Sequence, residues 1–435
     1  MGKPDGHLTG TGVLTVLTSL KLRLASGALS RSQFRWFYLA RTISVFGSGM
    51  TPVALAFAVL QAPDGHQLLG YVLAAEILPS VLLVLIGGSV ADRYRRDRLI
   101  QLSNLGSAAT QGAIAALVLT GASPVWLFPL AVANGGLSAF ASPAMRGLVP
   151  EVVSAAQLGE ANALLNTSRA AARILGPTAA GLLVATLGGG WGIALDALSF
   201  LLAAACMARV AIPTHPKPAE APSLAHQLRE GWDYFRQQRP IWAITLAFAA
   251  INVIWMGVWR VLGPLIAQQS FGPAGWGMVL SVRAVGLLAA GILMMRRRLR
   301  HPLREGMVAA AALGLPLIAL GARPGLVILM LAAGLAGFGS TVFAVTWDAA
   351  LQQAVPRDKL SRVLAFDDFG SYITIPLAVI LAVPIGHALG FYPVAFVGGL
   401  LVILLALLPL AEQTVRTATL PELEAAWRTP PAGGA

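Results

Sequence analysis

The sequence predicts an all-α polytopic membrane protein with twelve transmembrane helices divided six and six. Three observations carry this. The chain of 435 residues is 56% hydrophobic and only 11% charged, where an average soluble chain is about 25% charged. Its apolar residues gather in twelve segments near the roughly 20 residues needed to cross about 30 Å of hydrocarbon. Its basic residues sort to one side of the alternating loops.

The segments run near 36–61, 68–88, 99–120, 124–145, 161–188, 191–210, 241–268, 274–295, 305–321, 325–349, 361–385 and 388–410. The ninth is the shortest and has the least definite edges. Proline and glycine interrupt many of them, which helix bundles tolerate because neighbouring helices satisfy the freed backbone groups. The longest loop separates two sets of six. The predicted organisation is therefore an N-terminal tail over 1–35, a six-helix bundle over 36–210, a linker over 211–240, a second bundle over 241–410 and a tail over 411–435. Two parallel six-span halves are one known transporter plan.

Of the 31 basic residues, 25 fall in the tails and in the loops that follow even-numbered spans. Arg323 alone falls in a loop on the other side, so the positive-inside rule places both termini in the cytoplasm. A net charge of +12 could suggest nucleic acid, but this sorting points to the lipid bilayer instead. The linker opens with "IPTHPKPAEAP". It continues with Leu224, Leu228, Trp232 and Phe235 at helical spacing, which predicts an amphipathic helix on the cytoplasmic membrane face.

Several classes are excluded. No Walker-type phosphate loop is present. No closely spaced Cys/His/Asp group has metal-ligand spacing, so neither metal nor cofactor is expected. The single cysteine, Cys206, cannot form an internal disulfide. No nucleophile has a base partner that the sequence can identify, and an enzyme is not expected. The N-terminus lacks the pattern of a cleaved signal and is expected to be a cytosolic tail.

The turn "GGSVADRYRRDR" from Gly87 gathers six charges within seven positions. Gly87 and Gly88 allow close helix approach. Arg93, Arg95, Arg96 and Arg98 are held by an anionic leaflet. Asp92 does not serve topology; it can pair with a local arginine or cap a helix N-terminus. A weak internal repeat relates "MRGLVPEVVSAAQLGEANALLN" after span four to "LQQAVPRDKLSRVLAFDD" after span ten, matching Asn166 to Asp368.

That turn, through Gly88, Asp92, Arg93 and Arg96, resembles the signature of the major facilitator superfamily between spans two and three. Further stretches resemble its macrolide-efflux and enterobactin-exporter branch: "ARTISVFGSGM" from Ala40, "VPEVVSAAQLGEANALLNTSRAAARILGPTAAGLL" from Val149, "WGIALDALSFLLAA" from Trp191, "LREGWDYF" from Leu228 and "QQAVPRDKLSRV" from Gln352. The resemblance covers about residues 31–410. It implies the major facilitator fold, and a latch in which Asp92 contacts the start of span eleven near Leu360. The second-half turn "MMRRRLRHPLREG" keeps the charge without the Gly-Asp-Arg order.

Charges inside spans are costly and ordinarily face a partner or a wet cavity. Arg41, Arg169, Arg173 and Arg283 are expected as cavity charges, with Arg169 and Arg173 four apart on one helix face. Glu76 and Arg173 have similar depth and are expected to share a cavity. The proton-coupling candidates are Glu76, Asp196 and Asp368; a fixed salt bridge for Glu76 and a structural hydrogen-bonding role for Asp196 are the competing readings. Asp348, Asp367 and Asp368 lie near the cytoplasmic ends of spans ten and eleven and are expected to pair with Arg357, Lys359 or Arg362 as a gate. Of the adjacent pair, the repeat favours Asp368 as cavity-facing. Arg260 is expected nearer the outer rim. Asn252, Trp255 and Trp259 offer an apolar, stackable wall with one amide, extended by Met50, Phe57 or Phe248.

The expected function is secondary active efflux of an amphipathic organic small molecule, driven by proton antiport, by a monomer in the bacterial inner membrane. Drug, antibiotic, siderophore and natural product all fit. The alternatives are a uniporter or importer of a polar nutrient or metal chelate, a lipid or lysolipid flippase, and a scaffold or sensor on a retired transporter fold.

Overall fold

The structure is a computed structural model. It describes residues 27–62, 65–212, 232, 236–297, 300–323, 325–356, 363–364, 366–367 and 370–428. The side chains at 81, 84–93 and 426 are outside that description, although the helices continue through them.

Among the described residues, eleven helices are long and apolar enough to cross a membrane. They are α1 Ser32–Gln61, α3 Arg96–Thr120, α4 Pro124–Val152, α5 Ala155–Leu187, α6 Gly189–Met207, α7 Arg239–Ser270, α8 Gly272–Met294, α9 Pro302–Ala322, α10 Leu326–Ala354, α11 Gly370–Leu389 and α12 Phe391–Ala411. With them runs α2, Gly65–Arg93, a helix of 29 residues. Helices dominate because lipid offers no hydrogen-bond partner to an open backbone, and a helix satisfies its own. The sequence-derived segments agree closely in order and place. The clearest difference is at α4, expected to end near 145. It runs on to Val152 through Pro143 and Pro150, since packed neighbours support the interrupted turns. The ninth span is regular except for a tightened turn at Ala311–Leu313.

The first six helices pack on one another, chiefly α1 with α5 and α6, α2 with α4, and α3 with α4 and α6. The second six do likewise, through α8 with α10 and α9 with α10 and α12. The two sets meet along α5 with α8 and α2 with α11. Small residues permit these approaches. A Cβ on Gly277 would strike the Pro177 carbonyl, one on Gly181 the Pro273 carbonyl, and one on Gly70 the Val379 carbonyl. The hydroxyls of Thr178 and Ser281 hydrogen-bond across the same α5–α8 seam at 2.7 Å. These contacts lie in the middle of the bundle and toward the end away from the chain termini.

Helix α7 is not uniform. It is α-helical over Arg239–Trp255, widens to a π-helix over Met256–Leu262 and resumes over Gly263–Ser270. Such wide turns shift the face that later side chains present, and they often mark functional positions. Of the expected amphipathic linker helix, only Trp232 and positions from Arg236 onward are described; Trp232 packs on Phe366 with ring centres 5.4 Å apart. A short terminal helix, α13, spans Leu420–Arg428 and packs against α10, burying Leu423 and Trp427.

Candidate functional site

Two chambers face into the bundle, one in each half, and they differ in chemistry. The first has a volume of about 360 Å³. It lies among α1, α2, α3, α4 and α6, and most of its lining residues carry polar side chains. Its charged groups are Arg41, Glu76, Asp196 and Arg260, accompanied by the amides of Asn104, Gln111 and Asn134 and the hydroxyls of Ser48, Thr51, Ser103 and Ser107.

Glycines bring this chamber together. A Cβ on Gly135 would collide with the Glu76 carbonyl, so α4 presses directly on α2 there. That places the Asn134 amide 3.5 Å from Glu76 Oε1, while the Thr110 hydroxyl reaches Asn134 Oδ1 at 3.4 Å. A Cβ on Gly47 would collide with the Ser199 side chain and press on the Asp196 carboxylate, so α1 and α6 are equally close. The Asp196 carboxylate consequently accepts hydrogen bonds from Thr51 at 2.8 Å, Ser199 at 3.4 Å and Ser48 at 3.5 Å. The Gln111 side-chain oxygen is buried without a hydrogen-bond partner.

Arg260 is the unexpected member. Every other lining residue comes from the first half, whereas Arg260 belongs to the π-helical part of α7 in the second. It was expected nearer the outer rim; the structure shows that it lines the chamber of Glu76. Arg173, expected to share a cavity with Glu76, does not line that chamber. It sits instead on the α5 face where the two halves meet, in the electrostatic reach of Arg283 and Arg169.

The second chamber has a volume of about 440 Å³ and lies among α7, α8, α10 and α11. Its wall is aromatic. Phe248 and Phe343 stack with centroids 4.2 Å apart, and Phe343 stacks on Trp347 at 6.4 Å. Trp255 lines the chamber, with the Arg283 guanidinium over its ring at 5.3 Å. Trp259 lies behind, stacked between Trp255 at 5.0 Å and Trp276 at 4.9 Å, and supports the wall without forming it. Of the suggested extensions, Phe248 lines the chamber, whereas Phe57 is buried in the core and Met50 packs against that core.

Asn252 lines this chamber and donates to the Ser371 carbonyl at 3.1 Å. Asp367 and Asp348 line it as well. Asp367 accepts from the Thr245 hydroxyl at 2.6 Å and from Trp347 Nε1 at 2.8 Å. The sequence repeat favoured Asp368 as the cavity-facing acid; the structure brings Asp367 to the chamber, and Asp368 lies outside the described residues, as do Arg357, Lys359 and Arg362. Gly88, Asp92 and Arg93 fall within α2, but the placement of their side chains is outside the description too. The described part of the charged turn bonds within the first half: Arg95 pairs with Asp97 at 2.7 Å, and Arg96 pairs with Glu151 and reaches the Gly147 carbonyl at 3.0 Å.

The family model for transmembrane secretion effectors matches residues 25–366. The chain belongs to the major facilitator superfamily, in its macrolide-efflux and enterobactin-exporter branch. It is 27% identical over 364 residues to the multidrug efflux pump Tap of Mycolicibacterium fortuitum, covering 80% of this chain and 87% of that one. It is 20% identical over 385 residues to macrolide efflux protein A of Streptococcus pyogenes, covering 86% and 94%. Against the enterobactin exporter EntS of Shigella boydii, identity is 25% over 343 residues, covering 76% and 79%. The fold matches a solved POT family transporter with a TM-score of 0.70 at 12% identity, over 91% of this chain and 98% of that one. It also matches a bacterial homologue of the iron transporter ferroportin in an inward-facing state, with a TM-score of 0.63 at 16% identity, over 88% and 98%. This branch of the superfamily consists of multi-pass membrane efflux transporters and not of enzymes.

Sequence reading overlooked the polar lining of α3. Ser103, Ser107 and Gln111 recur every four residues in an apolar span, which was the available signal. It also overlooked Phe343 and Trp347, again four apart.

Proposed function

We propose that the protein exports an amphipathic organic small molecule by alternating access, with the first half handling protons and the second half handling cargo. The observation that supports this most directly is the pair of unlike chambers. One gathers two carboxylates, two arginines and several amides. The other offers stacked rings beside one arginine, two carboxylates and several hydroxyls, a mix of apolar wall and placed polar groups suited to small organic ligands.

Glu76 and Asp196 are the proton-carrying candidates in this reading. Glu76 has the better claim, since its described side-chain hydrogen bond, to Asn134, is 3.5 Å long, whereas the Asp196 carboxylate accepts a short one of 2.8 Å from Thr51. Arg260 reaches Glu76's chamber from the other half. Movement between the halves therefore changes the charge that Glu76 faces, and with it how readily the carboxyl holds a proton. Binding and protonation then become linked equilibria, as antiport requires. Asp348 and Asp367 serve the cytoplasmic mouth of the cargo chamber. Both termini, the linker and the Gly88-Asp92-Arg93 turn lie on the cytoplasmic side in this arrangement, as the distribution of basic residues supports.

The test is flux in reconstituted vesicles. A macrolide, enterobactin and a panel of amphipathic dyes are followed with and without an imposed proton gradient. Accumulation of at least one compound, driven by the gradient, is expected. Movement that ignores the gradient would defeat the antiport proposal, and an absence of movement across the panel would defeat export.

A further inference from the structure

The charges within the spans do not balance locally. In the first chamber, Arg41 and Arg260 stand with Glu76 and Asp196. At the mouth of the second stand Asp348 and Asp367, the latter already holding two hydrogen bonds. Three more arginines stand in the spans, Arg169 and Arg173 on α5 and Arg283 on α8. Arg173 is close enough to feel the charge of Arg283, and Arg169 that of Arg173. Among the described residues, none of the three arginines forms an ion pair. Arg169 has a long contact with the Asn166 amide oxygen at 3.5 Å.

Arg283 is the centre of this group. Its Nε is buried with no hydrogen-bond partner among the described residues. Its described contact is the face of Trp255, and it lines the aromatic chamber. Among the described residues, neither acid of the chamber pairs with it. Gly337 of α10 packs on the Arg283 carbonyl, and Asp348 lies eleven residues further along that helix, about 16 Å away at 1.5 Å per residue. Asp367 bonds to Trp347 at the same distant level. Phe343 and Trp347 occupy the α10 wall between the floor and that mouth, with Phe248 stacked on Phe343.

A guanidinium held in a spanning helix, beside like charge and without a carboxylate, is stabilised by an anion from outside the chain. We propose that the floor of the second chamber is an anion site, and that the cargo is an aromatic organic acid. Its carboxylate or other acidic group seats on Arg283, the arginine that lines the chamber. Its ring system lies along Trp255, Phe248 and Phe343. Planar rings and a forked guanidinium together select shape and charge. This rests on the export reading for which molecule is carried, but the site itself makes a claim about binding that needs no flux.

The experiment therefore measures equilibrium binding to the purified full chain in lipid nanodiscs, by calorimetry and without any gradient. Naphthoate, naphthamide and naphthylmethylammonium share one aromatic frame and differ in charge. Naphthoate is expected to bind at least about tenfold more tightly than either of the others, the worth of a charge-assisted hydrogen bond. Arg283→Gln is expected to erase that preference, with naphthoate losing at least about tenfold more affinity than naphthamide, and an unchanged thermal midpoint in the nanodisc reports that the variant is folded. Arg283→Lys is expected to keep part of the preference, because it retains the charge and loses the fork. Equal or tighter binding of the ammonium compound overturns the proposal. So does a loss in Arg283→Gln that is equal for all three ligands, or no saturable naphthoate binding up to about 10 mM. Anion binding without driven flux would instead overturn the export reading and leave the site intact.

Discussion

The two halves share a six-helix plan and have furnished their interiors in opposite ways. In the first, small residues on helix faces let backbones touch, and the space left is lined by hydroxyls, amides and carboxylates. In the second, rings stack in sequence from Trp347 through Phe343 to Phe248. The difference teaches that a buried acid means different things in the two places. Asp367 is fastened by a hydroxyl and an indole N–H that position it at the edge of an apolar surface. Glu76 is loosely held in a polar enclosure where protons and water are better accommodated.

The sharpest way to break this comparison is to neutralise Glu76. Glu76→Gln is expected to reduce gradient-driven accumulation by about tenfold or more, to the level of equilibration, while exchange of labelled for unlabelled cargo continues. Equal loss of both would move Glu76 from coupling to folding. Parallel vesicle assays of driven uptake and exchange decide it.

A second, structural test separates backbone contact from polar lining. Gly135→Leu must push α4 away from the Glu76 carbonyl, and overpacking of this kind typically costs about 1–3 kcal/mol. A lowered thermal midpoint in detergent is expected, with the first chamber's polarity unchanged in composition. A midpoint equal to the parent's would show that α2 and α4 are not in contact there.

On the other side, Trp347→Phe removes the N–H that Asp367 accepts. Leaving a buried acceptor short of a partner is expected to lower stability by about 1–3 kcal/mol. Cargo affinity should weaken as well, whereas the dependence of transport on the proton gradient should not change. A shift in that dependence would mean that the second half also participates in coupling.

The smallest effect concerns the terminal helix that braces the second half. At the start of α13 the Thr419 backbone N–H donates to Glu422 at 2.8 Å, and this bond lowers the carboxyl's pKa below the usual glutamate value. A depressed carboxylate pKa contributes stability that is complete above the unfolded value and is lost as pH falls through the folded one. Hydrogen exchange over 420–428 should therefore quicken in acid below the ordinary glutamate range, and Glu422→Gln should show the faster rate already at neutral pH. Exchange independent of both would remove this cap from the account of the helix.

The fold was legible because hydropathy and charge sorting are properties of whole segments. Twelve spans, their order and the division into halves follow from them, and the motif turn specified the superfamily. The site was legible where a residue's type forces its surroundings. Glu76, Asp196, Arg283 and Trp255 were found because a charge or an indole in a span demands an explanation. What could not be read was direction. The repeat favoured Asp368, whereas the acid of that pair seen to line the chamber is Asp367, with Asp368 outside the described residues. That Arg260 would enter the first half's chamber was not read either, because depth along a span says nothing of which neighbour a side chain meets. The serines of α3 passed unnoticed because each alone is unremarkable in an apolar helix, and only their shared spacing marks them.

The wide turn of α7 carries one further consequence, best put as a matter of phase. A helix with an extra residue in one turn has two angular registers, one on each side of the insertion. Asn252 and Trp255 are indexed by the first, and Arg260 by the second. Deleting Val258 would merge them into one frame, swinging everything beyond it by about 100° and carrying the guanidinium away from Glu76, while the ring at position 255 stayed put. A single-residue deletion, read by a cross-link between cysteines placed at 76 and at the arginine position, would show whether one link in the chain's count keeps the two halves in electrical contact.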